Sequence, residues 1–200
     1  MKLRCRAHGI MVNCNGTKFS VLDINGVVSF FDTEDTTDGP SGTHLPTDRK
    51  EVWSIVWSAD NPNLCALMEK NRLFILNNFE AEEPILSAGY LCDFTDLEVK
   101  SVLLDDILKD PEEIKNIDEM FVSYESKGLR DAREMLTTVT LKDTVDFCEK
   151  NPHRRLWKLV TEAALDKLNY GVAERAFVKN EDYAGVQLIE KLSNMDEKVK

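Results

Sequence analysis

One strand-turn-strand pattern occurs twice in the first half of the chain, and it constrains the fold more than any other feature. In the first copy, Asn25-Gly26 separates two runs of β-branched and aromatic residues. Asn-Gly between two such runs is a strong signal for a tight β-hairpin. The second copy follows 46 residues later, with Asn71 in the place of Asn25. The sequence therefore predicts two antiparallel hairpins built to one plan.

The repeat length points to a class of β architecture. Blades of WD40-type propellers have four antiparallel strands and repeat about every 40 to 45 residues. Phe31-Asp32 stands where such blades carry their Trp-Asp pair. Trp53 and Trp57 lie four apart on a predicted strand, so we expect them to share a face, one in the core and one at the rim. A generic β-sandwich remains an alternative.

The segment between the two copies, residues 32–49, is acidic and then rich in Thr, Gly and Pro, which is typical of a surface loop. An EF-hand alignment puts Thr37 where the loop needs Gly and Thr43 where it needs a bidentate Glu. A phosphate-binding loop would need a Lys before Thr43, which the chain lacks. We therefore expect neither a calcium site nor a phosphate site here.

The periodicity changes from strand to helix near Asp110-Pro111, after one or two closing strands. The predicted fold class is β then α, with a partial WD40-type propeller of about two blades over residues 1–108. A helical solenoid segment is expected over residues 111–195.

The second half contains capping and spacing signals for six helices. Pro152 is placed at the first position of the fourth, whose apolar residues recur every three or four positions. The residues after Leu192 are expected to fray. The expected helices are 116–125, 129–136, 141–150 capped by Thr140, one from Pro152 through Leu168, and 182–192, with a further helix around Ala173 and Phe177.

Trp157, Ala173 and Phe177 have the spacing of a tetratricopeptide (TPR) repeat. The small Ala173 would let two antiparallel helices approach closely, with Trp157 and Phe177 filling the space beside the contact. Thr161 and Ala164 replace the expected Gly and Tyr, so the repeat is degenerate. We expect all three spaced residues in the core.

Charge and hydropathy exclude several functions. The chain carries 36 acidic and 25 basic residues, a formal charge of -11, which opposes binding to nucleic acid. Its apolar runs are far shorter than the roughly 20 residues of a membrane span. The first residues lack the apolar run of a secretory signal, so a reducing compartment is expected.

The sequence gives no support for an enzyme, a cofactor or a small-molecule substrate. Cys5, His8 and Cys14 lack the close fourth ligand of a zinc site. His8, His44 and His153 are far apart, and no nucleophile has a partnered base. We expect the cysteines to be buried free thiols: Cys5, Cys14, Cys65, Cys92 and Cys148.

His153, Arg154 and Arg155 form a cationic cluster at a predicted helix start, where positive charge is electrostatically unfavourable. Such an arrangement is consistent with contact to an acidic partner surface. We therefore single out this cluster as a possible partner contact.

Three long stretches, residues 51–72, 96–112 and 146–192, resemble the WD-repeat subunit family of intraflagellar transport complex A. Members have two N-terminal propellers and a TPR-like tail. The resemblance implies a non-enzymatic scaffold for retrograde ciliary transport, cilium assembly and ciliary entry of membrane proteins. Its implied partners are other complex A subunits and ciliary membrane cargo, and its implied locations are cytoplasm, cilium and basal body.

A coat-type vesicle-trafficking scaffold shares the propeller-solenoid plan and is the alternative. The stretch around Trp157 resembles the ciliary family and favours it over the coat-type alternative. Family members are several times longer, so this chain corresponds to a short or partial form. A propeller needs about four blades to close, and we expect the partial propeller to expose an edge strand unless other propeller material covers it.

Overall fold

The structure, a computed structural model, describes residues 6–35, 43–109 and 117–199. The chain divides into two compact units, Met1–Glu125 and Ser126–Lys200. Among the described residues, the first unit contains three antiparallel sheets and one short helix, and the second contains five helices. The predicted order of β then α is confirmed.

The first sheet has four strands in sequential order, and we call it the first blade. Leu22 pairs with Val28 across the predicted Asn25-Gly26 turn. The fourth strand corrects the predicted surface loop, since residues 43–49 pair with the third strand. Pro46 obscured it in the sequence, yet an edge strand tolerates a residue without an N–H. The strands are β1 (Ala7–Val12), β2 (Lys18–Asp23), β3 (Val28–Asp32) and β4 (Thr43–Arg49).

The second sheet, the second blade, confirms the repeat: its three long strands fall where the second copy of the pattern predicts them. Two short strands pair with the outer side of the third. The strands are β5 (Val52–Trp57), β6 (Leu64–Glu69), β7 (Arg72–Asn77), β8 (Glu80–Ala81) and β9 (Ile85–Leu86).

The first two blades pack face to face through one apolar cluster. Burial of such side chains contributes about 1.5 to 3 kcal/mol each, so this interface is a principal source of stability in the first unit. The cluster consists of Leu22, Val28, Phe30, Val52, Ile55, Trp57, Cys65, Leu67 and Leu76.

A third sheet follows, formed by β10 (Tyr90–Thr95), β11 (Glu98–Val102) and β12 (Phe121–Glu125). Helix α1 (Leu104–Lys109) and a 3-10 turn (Ile117–Met120) lie between its last two strands. The predicted closing strands are therefore part of a third sheet.

The prediction of a helix over residues 116–125 is wrong for residues 121–125, which form β12. Val99 pairs with Tyr124 in a regular antiparallel register, and Tyr124 Oη donates to Ser87 Oγ at 3.0 Å. Phe121, Val122 and Tyr124 favour a strand, and pairing with β11 decides in its favour. The first unit therefore ends at Glu125, later than the boundary predicted at residues 110–111, which lie outside the described residues.

The second unit consists of helices joined by short connections. The Thr140 cap is confirmed, since Asp143 N donates to Thr140 Oγ1 at 3.3 Å. The fourth helix begins at Arg154 with His153 as its cap, two residues later than predicted from Pro152. The last helix continues beyond Leu192. The helices are α2 (Lys127–Thr138), α3 (Leu141–Lys150), α4 (Arg154–Asp166), α5 (Tyr170–Lys179) and α6 (Tyr183–Val199).

In the part of the chain that is described, no helix combines the length and apolarity required to traverse a lipid bilayer.

Candidate functional site

The Asn25-Gly26 turn is organised by one carboxylate. Asp23 Oδ1 accepts from Asn25 N and Val27 N, both at 2.8 Å, and Asp23 Oδ2 accepts from Asn25 Nδ2 at 3.1 Å. The Val27 N–H, the largest cause, lowers the pKa of Asp23 from its ordinary 3.8; burial opposes the shift and the Asn25 donors add to it. The turn is thus fixed by an ionised side chain.

Gly26 also joins the first blade to the second. Its φ is +76°, a region that favours glycine. Its carbonyl accepts from Val52 N at 2.9 Å, and a Cβ at this position would lie 3.1 Å from Val52 O. The predicted turn residue therefore has a second role in the contact between blades.

The two predicted strand tryptophans lie in different environments. Trp57 is 7% exposed, and its Nε1 donates to Ser20 Oγ at 3.1 Å. Trp53 is 37% exposed. One is in the core and the other at the rim, as expected, but they do not share a face, because the register shifts between Val52 and Ser54 and a bulge breaks the alternation.

Trp53 contacts the third sheet. Its ring meets that of Tyr90 edge to face, with centroids 4.8 Å apart, and its Nε1 donates to Lys70 O at 2.7 Å. No sequence pattern singles out Tyr90, because the packing of β10 against β5 brings it next to Trp53.

Two of the three predicted TPR-like positions, Ala173 and Phe177, come together in the second unit. Trp157 is 4% exposed and Ala173 is fully buried, whereas Phe177 is half-buried. Ala164 and Ala173 share one core cluster with Ile189, and Phe177 packs against it. Small residues on both α4 and α5 permit the close approach that the spacing predicts.

Gly185 on α6 is a packing residue that sequence reasoning missed. A Cβ there would lie 2.6 Å from Phe177 Cγ and closer still to Cδ1. The glycine therefore lets α6 approach the Phe177 ring. A glycine in the first turn of a predicted helix was the available signal.

The connections after α4 and α5 repeat the same geometry. Leu168 (φ 53°) and Glu181 (φ 57°) adopt the left-handed region, 13 residues apart. Asn169 N donates to Ala164 O and Asp182 N donates to Phe177 O, the hydrogen bond of a Schellman motif.

Each connection also caps the helix that follows it. Val172 N donates to Asn169 Oδ1 at 3.2 Å, and Gly185 N donates to Asp182 Oδ1 at 3.0 Å. The same helix end and the same helix cap thus recur at both connections, so α4, α5 and α6 follow one another at a regular spacing.

The predicted cationic cluster borders a groove between the start of α4 and the end of α5. His153 Nδ1 accepts from Arg155 N at 3.1 Å, which commits the imidazole to capping the helix. Arg155 is partly buried, and Arg154 is exposed. The groove has a volume of about 480 Å³ and is lined by Pro152, His153, Arg154, Trp157, Lys179, Asn180 and Glu181.

The cysteines divide into buried and exposed thiols. Cys65 and Cys148 are buried, and burial raises the pKa of Cys148 to about 11 and that of Cys65 as well. Cys14 and Cys92 are exposed, which corrects the expectation of burial. Cys5 lies outside the described residues.

His44 and His153 make separate interactions and do not share a site. His44 Nε2 lies 3.0 Å from Asp48 Oδ1 on an exposed strand, and His153 caps α4. Within residues 6–35, 43–109 and 117–199, no three His, Cys, Asp or Glu side chains form a group that could hold a metal ion. The arrangement offers two surfaces for macromolecular contact: the Trp53 region of the blades and the α4–α5 groove.

Comparison with known proteins identifies relatives along most of the chain. Residues 1–125 match the family model described as the WDR35 second β-propeller. The chain is 44% identical over 198 residues to WD repeat-containing protein 35 of Mus musculus and of Homo sapiens, and 43% identical to that of Rattus norvegicus. These alignments cover 96% of this chain and 17% of each relative.

Proposed function

The chain belongs to the WDR35 second β-propeller family, and from this we propose that it is a non-enzymatic scaffold segment of intraflagellar transport complex A. It acts in retrograde ciliary transport, cilium assembly and ciliary entry of membrane proteins. It works in the cytoplasm, at the basal body and in the cilium. Its partners are other complex A subunits and ciliary membrane cargo.

One observation carries the proposal: similarity to a single named protein extends across both units. The family model matches the three sheets, and the relatives also align with the helical unit. The resemblance of residues 51–72, 96–112 and 146–192 to the ciliary family supports the assignment to complex A. The chain spans about a sixth of those relatives, so it corresponds to one region of a longer scaffold.

The geometry suits a scaffold because each unit offers a side-chain surface on a packed support. In the helical unit, α4, α5 and α6 pack together through Ala164, Ala173 and Gly185. Helical repeat proteins bind partners on the concave surfaces that their stacked repeats create. Within the helical unit, the candidate contacts lie along the α4–α5 groove.

We propose that an acidic surface of a partner protein contacts the start of α4. Arg154 is exposed and borders two adjoining grooves, of about 480 Å³ and 240 Å³, and Lys158 borders the second. Exposed basic side chains at this groove favour an acidic partner surface, although the formal charge of the chain is -11. Positive side chains at a helix start reduce stability slightly, so a binding role gives a physical reason for Arg154.

The test is affinity capture of the tagged chain from ciliated cells, with quantification of complex A subunits by mass spectrometry. Arg154→Glu is the informative variant, because an acidic residue in the first helical turn favours the fold by about 0.3 to 1 kcal/mol. Lost capture with retained stability therefore indicates a contact surface. Lys142→Glu makes the same change of charge in the first turn of α3 and is the matched control.

We expect the parent chain and Lys142→Glu to recover complex A subunits and Arg154→Glu to recover less. Recovery of vesicle-coat subunits in their place would favour the coat-type alternative. Equal recovery by both variants would contradict the proposed partner contact at α4. If the parent chain recovers neither complex A subunits nor vesicle-coat subunits, the scaffold role is refuted.

A further inference from the structure

A second groove lies in the first unit. None of its lining residues belongs to the apolar cluster between the first two blades. It has a volume of about 530 Å³ and runs between the second blade and the third sheet. Its lining combines two aromatic rings, two polar side chains, one small side chain and one carboxylate. These are Trp53, Tyr90, Lys70, Asn71, Ala88 and Asp105.

The two aromatic residues are held in place while more than a third of each stays exposed to solvent. The β-bulge turns Trp53 away from the core, and the indole hydrogen bond to Lys70 O at 2.7 Å fixes its orientation. Tyr90 meets it edge to face at 4.8 Å and is 38% exposed. Trp and Tyr in such positions are the residues most enriched at binding hot spots.

The charges around the groove leave one carboxylate available. Lys70 Nζ lies 2.8 Å from Glu51 Oε2, so its charge is largely compensated. Asp106 also forms an ion pair, since its Oδ1 lies 2.9 Å from Lys109 Nζ. Asp105 is exposed and forms no ion pair with any cation of the described residues. The groove therefore presents two partly exposed aromatic rings and a negative charge.

We propose that this groove binds an arginine side chain of a partner protein segment. A guanidinium is attracted to the face of Trp or Tyr and can form paired hydrogen bonds with a carboxylate. Its planar, weakly hydrated form suits stacking better than the ammonium of lysine does. The formal charge of -11 favours approach of a cationic segment over an anionic one.

The inference goes beyond the complex A proposal and is tested without it, so either can fail alone. Fluorescence anisotropy measures binding of a fluorescein-labelled peptide of alternating glycine and arginine to the full chain. Peptides with lysine or glutamate in place of arginine are run in parallel. We expect the arginine peptide to bind most tightly and the glutamate peptide not to bind.

Two neighbouring carboxylates supply a matched pair of variants. Asp105→Asn and Asp106→Asn change the net charge equally, but Asp105 alone of the two lines the groove. We expect Asp105→Asn to weaken binding up to about fivefold and Asp106→Asn to leave it nearly unchanged. Both side chains are exposed, so neither change should affect folding.

Trp53→Ala is expected to weaken binding about two- to fivefold, with part of the loss recovered in Trp53→Phe. Absence of binding by the arginine peptide, or equal binding by the lysine peptide, would overturn the assignment. An equal loss in Asp105→Asn and Asp106→Asn would do so as well, since it would indicate attraction by overall charge.

Discussion

Gly185→Ala tests the close packing that defines the helical unit. The substitution adds one methyl group at the third position of α6, facing α5. The added Cβ would lie 2.6 Å from Phe177 Cγ, whereas carbon atoms in contact normally lie about 3.5 to 4.0 Å apart. Either the aromatic ring or the whole of α6 must move.

The expected magnitude follows from two opposing effects. Overpacking of this kind costs about 1 to 3 kcal/mol. Replacing glycine by alanine in a helix gains about 0.5 to 1 kcal/mol, less in the first turn. We therefore expect Gly185→Ala to lower the free energy of unfolding of the helical unit by about 1 to 2 kcal/mol.

Urea unfolding followed by far-ultraviolet circular dichroism measures this loss, because the long helices of the described chain all belong to the second unit. Gly128→Ala and Gly171→Ala are matched controls. Each glycine is the second residue of a helix, and a Cβ at either position meets no atom within 4 Å. Both controls should leave stability unchanged or raise it by up to about 1 kcal/mol.

A second change separates the ring contact from other effects. In the background of Gly185→Ala, Phe177→Ala removes the ring atoms that clash with the new Cβ, so the loss in the double variant should be smaller than the sum of the two single losses. A coupling of about 0.5 to 3 kcal/mol is expected for residues in contact. If Gly185→Ala stabilises the chain as the controls do, the proposed approach of α6 to Phe177 is refuted.

Three further substitutions test other features. Gly26→Ala should cost about 1 kcal/mol more than Gly16→Ala by thermal unfolding, because both adopt positive φ but only Gly26 lies against Val52; equal losses would contradict the blade contact. The pKa of Asp23 is lowered in the folded chain, so its charged carboxylate contributes stability above pH 3.8, and this contribution is lost as the pH falls through the folded value. The urea midpoint of Asp23→Asn should therefore approach that of the parent in acid. Leu168→Gly should stabilise by about 0.5 kcal/mol, and a lower unfolding temperature would disprove strain at this connection.

The hairpins and most helices could be predicted because their signals are local. Asn25-Gly26 specifies a turn by the backbone conformation that its residues allow, and Thr140 specifies a helix start by one side-chain hydrogen bond. The spacing of Trp157, Ala173 and Phe177 likewise predicted a helical contact from periodicity. In each case the determining interactions lie within about one repeat of the chain.

The errors occurred where a partner distant in sequence decides the outcome. β4 and residues 121–125 have mixed local preferences, and pairing with β3 and β11 makes them strands. The unit boundary moved to Glu125 for the same reason. Local propensity is a weak term that such pairing overrides.

By itself, the sequence determined the succession of β then α, the repeat and the residues that turn or cap each element. The tertiary structure alone decided which side chains meet: Trp53 with Tyr90, Gly26 with Val52, and Gly185 with Phe177. Turns and caps depend on bonds between near neighbours, so they can be read from a short stretch of chain. Grooves and close approaches depend on packing between separate elements, which fixes their positions only when the chain has folded.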